Sequence, residues 1–263
     1  MRKIGIYLSE KPAVTHADFA RIIADAGFDA AFGDMYDIAQ HIDLCNQLVK
    51  HSVAFENLHA PFSHINDIWL DGEDGETMLR ELVACLDRCH DSGIPYMVVH
   101  LSSGCNPPPV TDIGRARFDR LINRAICKNV GVAFENQRML ANLAWAMEAY
   151  GEDTPAGFCW DCGHEGCFTP GREYMPLFGN RLMGTHIHDN YGVYNQDCHL
   201  VPFDGSLDFD RIARQIRESG YSGSLLLELL PEKTPAYQQM NPIEYFEHAA
   251  HAAKRLRDMV DVK

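Results

Sequence analysis

Six short apolar segments of this chain each end on a side chain that can hold a metal or move a proton. They are NLHAPF (His59), VVHLSSG (His100), VAFENQ (Glu135), GFCWDCGH (Asp161 and His164), MGTHIHD (His186) and LLLELLPE (Glu228). A seventh stretch, QDCHLVPFDG, adds Asp197 and His199 soon after His186. A carboxylate or imidazole beside an apolar run is costly unless something binds it, so this recurrence predicts convergence on one site. Glu135, Asp161, His186 and Glu228 supply three carboxylates and one imidazole. That mostly oxygen donor set suits Mn²⁺, Mg²⁺, Co²⁺ or Zn²⁺ rather than copper or an iron–sulfur cluster. A lone glutamate at a strand end is more often an ion-pair or helix-cap partner; four such residues on four successive strands favour a metal.

His59, His100, His164, Asp197 and His199 form a second group. Imidazoles ligate metals, bind sugar hydroxyls or shuttle protons, and with the first four these residues could complete a multinuclear cluster containing further zinc ions. His188 shares a side with His186 by strand alternation, or else points into the following loop, and ranks lower. His16, His41, His51, His90, His248 and His251 fall on helical stretches and are read as solvated surface.

The elements that must position these groups alternate from end to end. Strand candidates are KIGIYL near residue 3, FDAAFG at 28, VAFENLH at 53, YMVVHL at 96, VGVAFEN at 130, AGFCWD at 156, LMGTHIH at 182 and SLLLEL at 224. Several are almost continuously apolar, as parallel strands buried on both faces are. Between them lie amphipathic patterns. Thr15 can cap a helix running to about Ala26, Asp208 or Asp210 can start another, and Ile243, Phe246, Ala250, Ala253 and Leu256 make a stripe on the last. Gly27, Gly93 and Gly220 each stand where a helix needs a left-handed cap before the next strand. Eight such units predict an α/β chain folded as one (β/α)8 TIM barrel over residues 1–263, with the site at the C-terminal ends of the strands. No glycine-rich phosphate fingerprint follows a strand.

Three long loops follow strand ends: HINDIWLDGEDGE, SSGCNPPPVTDIG and NYGVYNQDCHLVPFDGS. Phe62, Trp69, Tyr191, Tyr194 and Phe203 within them could shape a sugar pocket or pack against a second subunit, so a homo-oligomer stays open. The formal net charge of −14 disfavours nucleic acid and anionic membrane. The first and third of these loops carry no lysine or arginine that would meet DNA phosphates. No apolar run reaches the ~20 residues of a membrane span, and MRKIGIYLSE lacks the core of a signal peptide. Nine cysteines, an odd number, predict a reducing cytoplasm. The Cys159/Cys162 pair straddles Asp161 instead of opening a helix, which argues against redox use, and zinc would need a second pair.

WDCGH, THIHDN, the D-x-H-L-x-P-x-x-G run and LELLPE resemble the sugar phosphate isomerase/epimerase family of the xylose isomerase-like barrel superfamily (AP endonuclease family 2), to which endonuclease IV also belongs. The resemblance implies that Glu135, Asp161, His186 and Glu228 bind one divalent metal. It implies that Glu135 and Glu228 flank the substrate carbon as acid and base, and that His164 touches a substrate oxygen. It predicts a small sugar or sugar phosphate as substrate. One departure stands out: the family often has P-G-x-G where this chain has Pro202-Phe203-Asp204-Gly205. An endonuclease IV-like phosphodiesterase acting at abasic DNA with several zinc ions, a lyase resembling inosose dehydratase, and a non-catalytic sugar-binding barrel are the alternatives.

Overall fold

The computed structural model describes residues 1–9 and 14–262. Within them the predicted strands form: β1 (Ile4–Tyr7), β2 (Ala30–Asp34), β3 (Ala54–His59), β4 (Tyr96–His100), β5 (Gly131–Glu135), β6 (Ala156–Asp161), β7 (Leu182–His186) and β8 (Leu225–Leu227). The helices are α1 (His16–Ala26), α2 (Ile38–Lys50), α3 (Glu73–Ser92), α4 (Asp112–Lys128), α5 (Leu140–Ala149), α6 (Cys162–Phe168), α7 (Met175–Phe178), α8 (Phe209–Glu218), α9 (Pro235–Gln238) and α10 (Pro242–Val260).

The chain forms two compact units, Met1–Phe55 with Trp160–Lys263, and Glu56–Cys159. In the first, β1 pairs in parallel with β2 and with β8, and Ile187, just past β7, bridges Leu227 in parallel. In the second, β3, β4, β5 and β6 pair in parallel in chain order. Sequential parallel order, helical crossovers and a last strand paired with the first define the (β/α)8 TIM barrel that the repeating pattern predicts. The strands are buried on both faces because both are apolar; every residue of β4, β6 and β8 is buried.

Local chemistry sets the helix boundaries. Thr15 accepts a hydrogen bond from the Asp18 N–H at 3.1 Å, and Gly27 closes α1 at φ 94°. Asp208 caps α8 through the Arg211 N–H at 2.9 Å. Gly93 and Gly220 also adopt positive φ, as their positions demand.

Four expectations change. His41 is buried, its ring 5.7 Å from Phe55, because positions 41, 44 and 48 make the inward stripe of α2. Ile243 is exposed: Tyr245 and Phe246 turn inward in the first turns of α10 and rotate its stripe. The first long loop is partly helical, with a 3-10 turn at Ile65–Trp69 and α3 starting at Glu73. Trp69 belongs to the core. Its indole N–H donates to the Leu101 carbonyl at 2.7 Å and its ring lies 5.1 Å from Phe118 and 5.3 Å from Trp145.

Candidate metal centre

In the first unit Asp161 ends β6 and caps α6, its Oδ1 accepting the His164 N–H at 2.6 Å. That single turn holds a carboxylate and an imidazole side by side; His164 Nδ1 is 3.5 Å from Asp161 Oδ2. His186 ends β7, stacked on Phe32 at 4.9 Å, with Nδ1 3.5 Å from Glu228 Oε1 just past β8. Asp161, His186 and Glu228 are all buried, and each offers a donor atom within 4.8 Å of the others.

Beside them lies a second cluster. His164, His188, Asp197 and His199 offer donor atoms that also fall within 4.8 Å of one another. His188 Nε2 is 3.0 Å from Asp161 Oδ1 and 3.8 Å from Asp197 Oδ1, and its ring stacks on His199 at 3.9 Å. His188 thus joins both groups. Strand alternation was its signal, and the neighbouring loop masked it. The space it fills exists because residue 163 is glycine: a Cβ there would lie 1.9 Å from His188 Cε1.

In the second unit His59, His100 and Glu135 end β3, β4 and β5. His100 stands opposite Glu135 in the strand register, and its Nε2 lies 3.0 Å from Glu135 Oε2; His59 Nε2 lies 3.4 Å from the same oxygen. Gln137, which the sequence did not single out, donates to Glu135 Oε1 at 3.3 Å and has its Nε2 3.1 Å from His100 Nε2. Phe62 packs over His100 at 4.4 Å.

The ring orientations fit a cation. His199 Nδ1 faces the Glu228 carbonyl at 2.9 Å, and His59 Nδ1 faces the Ala60 carbonyl at 3.0 Å. A carbonyl only accepts, so each Nδ1 carries the proton. Each Nε2 faces a carboxylate, Asp197 Oδ2 at 2.8 Å or Glu135 Oε2 at 3.4 Å. In the neutral ring that Nε2 carries a lone pair, which a cation shared with the carboxylate would satisfy. Burial, reinforced by the neighbouring His188, pushes His199 below the ordinary imidazole value. Burial also acts to lower His188, but the Asp161 carboxylate outweighs it and raises the group. Asp197 would be raised by burial, yet the His164 and His199 imidazoles beside it hold it far below the usual carboxylate range.

The loop carrying Asp197 and His199 is clasped at its base by Asp189, which accepts the N–H groups of Asn190, Gly205 and Leu207 at 2.8, 2.9 and 3.0 Å. Gly205 allows that approach, since a Cβ there would come within 2.4 Å of Asp189 Oδ1. Phe203 adopts a left-handed backbone that glycine takes more easily, at φ 75°, while its ring packs 4.6 Å from Phe209 and 3.8 Å from the Arg255 guanidinium carbon. It therefore turns away to pack on α8 and α10. Phe203→Ala removes the ring and keeps the left-handed strain, whereas Phe203→Gly removes both. Urea unfolding is expected to show the alanine variant less stable than the glycine variant by about 1 kcal/mol. Tyr191 and Tyr194 are exposed at the loop's tip.

Cys162 does open α6, contrary to the sequence reading, but burial pushes its thiol up, the opposite of a reactive thiolate.

Parallel βα units with polar groups gathered at the strand ends have the layout on which (β/α)8 barrels build their sites. Residues 20–257 match the family model described as Xylose isomerase-like TIM barrel, and the chain belongs to that family. It is 34% identical over 151 residues to y4fM of Sinorhizobium fredii, described as an uncharacterized protein. That match takes in 54% of this chain and 46% of the other, so the chain spans about half the length of this curated relative. Among solved structures, a D-tagatose 3-epimerase-like protein superimposes with a TM-score of 0.75 at 17% identity, covering 98% of both chains. The 3-keto-D-glucoside 4-epimerase YcjR from E. coli gives 0.75 at 16%, covering 98% of this chain and 100% of its own. An IOLI protein with a bound zinc atom gives 0.76 at 17%, covering 98% of both. At these identities the likeness is one of fold.

Proposed function

We propose that this protein is a divalent-metal-dependent isomerase or epimerase acting on a ketose, an aldose or a sugar phosphate. The observation that carries the reading is the convergence of Asp161, His186 and Glu228, from three strand ends, with donor atoms within 4.8 Å of one another. In a (β/α)8 barrel the strand ends share one face, and Glu135 at the end of β5 is assigned as the fourth ligand. The zinc of the IOLI protein and the epimerase names of the other two structures support this reading. Mn²⁺, Zn²⁺, Co²⁺ and Mg²⁺ all suit the donor set.

When bound, such a cation supplies Lewis acidity to the carbonyl and hydroxyl oxygens of the sugar. The protein supplies the proton transfers. Glu135 and Glu228 face a substrate carbon from two sides; one removes the proton and the other returns it, to the opposite face in an epimerase or to the neighbouring carbon in an isomerase. His164, fixed by Asp161, donates to a substrate oxygen. His59, His100, Asp197 and His199 complete the polar wall of the site. No described helix is long and apolar enough to cross a membrane. The odd count of nine cysteines suits a reducing, cytoplasmic location.

A multi-zinc phosphodiesterase is the second reading, favoured by the assembled His164–His188–Asp197–His199 cluster. The net charge of −14 weighs against it. Metal analysis of the purified protein tests the choice: about one ion per chain, with chelation abolishing exchange of sugar carbon-bound hydrogen in deuterated water, is the expected result. Three zinc ions per chain together with nicking of abasic duplex DNA would overturn it. Loss of water from an inositol-like ketone would redirect the reading to a lyase, and sugar binding without exchange to a non-catalytic barrel.

A further inference from the structure

We propose that Lys233 is a tethered cation that limits the metal count of this site, holding Asp197 so that a divalent ion is disfavoured in the His164–His188–Asp197–His199 cluster. The inference rests on the metal-centre reading above and deepens it.

The cluster has what a metal site needs. Three imidazoles and one carboxylate have donor atoms within 4.8 Å of one another, and His199 is oriented with its Nδ1 on the Glu228 carbonyl and its Nε2 toward Asp197. Lys233 places a positive charge on that same carboxylate. Its Nζ lies 3.2 Å from Asp197 Oδ2 and donates to the Asp197 carbonyl at 2.9 Å. The grip on both side chain and backbone fixes the ammonium on one residue, and the 3-10 turn Pro231–Lys233 sets its origin five residues beyond Glu228.

Exposure orders the groups. Lys233 has 37% of its side chain exposed, Asp197 19%, His164 7%, His199 6% and His188 none. The lysine therefore stands on the solvent side of the cluster. A partly exposed ion pair contributes little to folding, so stability does not explain the arrangement. Competition does. An ion entering on Asp197 Oδ2 would meet the ammonium a few ångströms away, and like charges that close repel strongly even when partly screened. The lysine acts as a compact, strongly hydrated charge, already neutralising the carboxylate the ion would need.

The test is a Co²⁺ titration of the full chain, read by visible absorbance and by metal content after gel filtration. Lys233→Met is expected to take up a second ion with an apparent Kd about tenfold lower than the wild type shows for its second ion, within the 5–150-fold range of ordinary coupling. Lys233→Arg, which keeps the charge, should titrate as the wild type does. Lys233→Met combined with Asp197→Asn should lose the gain, tying it to the cluster. Circular dichroism checks that each variant is folded. Identical second-ion titrations for the wild type and Lys233→Met would overturn the inference, as would a wild type that already holds two or more ions. A wild type that binds no ion at its core would defeat the metal-centre reading separately, while the Lys233→Met comparison at the cluster would still decide the role of the lysine.

Discussion

Glu228→Gln is expected to lower kcat/KM for the sugar substrate by ~10²–10⁴, the usual range for losing one positioned acid or base. The amide is close to isosteric, so the site keeps its shape, and its oxygen can still face a metal. What it loses is the ability to take a proton. Glu228 is only 8% exposed and stands 3.5 Å from His186 and 3.8 Å from His199. The measurement separates ligand from base: metal content and exchange of sugar carbon-bound hydrogen in deuterated water are followed on one sample. Retained metal with lost exchange is the expected pattern. Glu135→Gln should behave likewise, although His59 and His100 lose a charged partner at 3.4 and 3.0 Å and metal affinity should suffer more. Wild-type exchange rates in both variants would remove the acid/base assignment altogether.

Gly163→Ala is expected to be the most damaging methyl group in the site. The added Cβ would stand 1.9 Å from His188 Cε1, 2.3 Å from Nδ1 and 2.4 Å from Nε2. No rotation of the methyl relieves three contacts with one ring, so His188 must move, and its 3.0 Å contact with Asp161 goes with it. Overpacking alone costs about 1–3 kcal/mol. Losing the partner that orients a metal carboxylate typically weakens metal binding ~10–100-fold. Thermal unfolding with and without metal checks both parts. A variant as stable as the parent in apo form, with unchanged metal affinity, would show that His188 does not position Asp161.

Much of this was legible in the sequence. Strand ends are written in apolar runs that stop at a polar residue, and helix ends in Thr15, Gly27, Gly93 and Asp208, because each cap satisfies backbone groups locally. Residues placed by strand period and chain order, such as Asp161, His186 and Glu228, could therefore be brought together on paper. The errors are of another kind. His41 looked like surface because histidine is polar, but the helical stripe through Leu44 and Leu48 decides its side. Trp69 looked like a pocket residue because its segment reads as a loop; a 3-10 turn folds it inward and Gly114 leaves room for its ring, with a Cβ there only 2.1 Å from it. Gln137 lies beyond its strand end, where period-two reasoning no longer applies, and His188 ranks low because the loop that follows it competes with the alternation running on from His186. Lys233 meets Asp197 only through a tertiary contact across 36 residues, which no local pattern encodes.

Asp161 has two tasks that share one carboxylate. One oxygen caps α6 through the His164 N–H, and the same group belongs to the metal core. A ligand that binds there draws on charge density that the helix start also uses, so occupancy of the centre and winding of α6 form one thermodynamic equilibrium. Because His164 rides on the first turn of that helix, an ion held by Asp161 would also help to set the position of that imidazole. Amide hydrogen exchange along Cys162–Phe168 then becomes a gauge of loading, legible without any knowledge of the substrate.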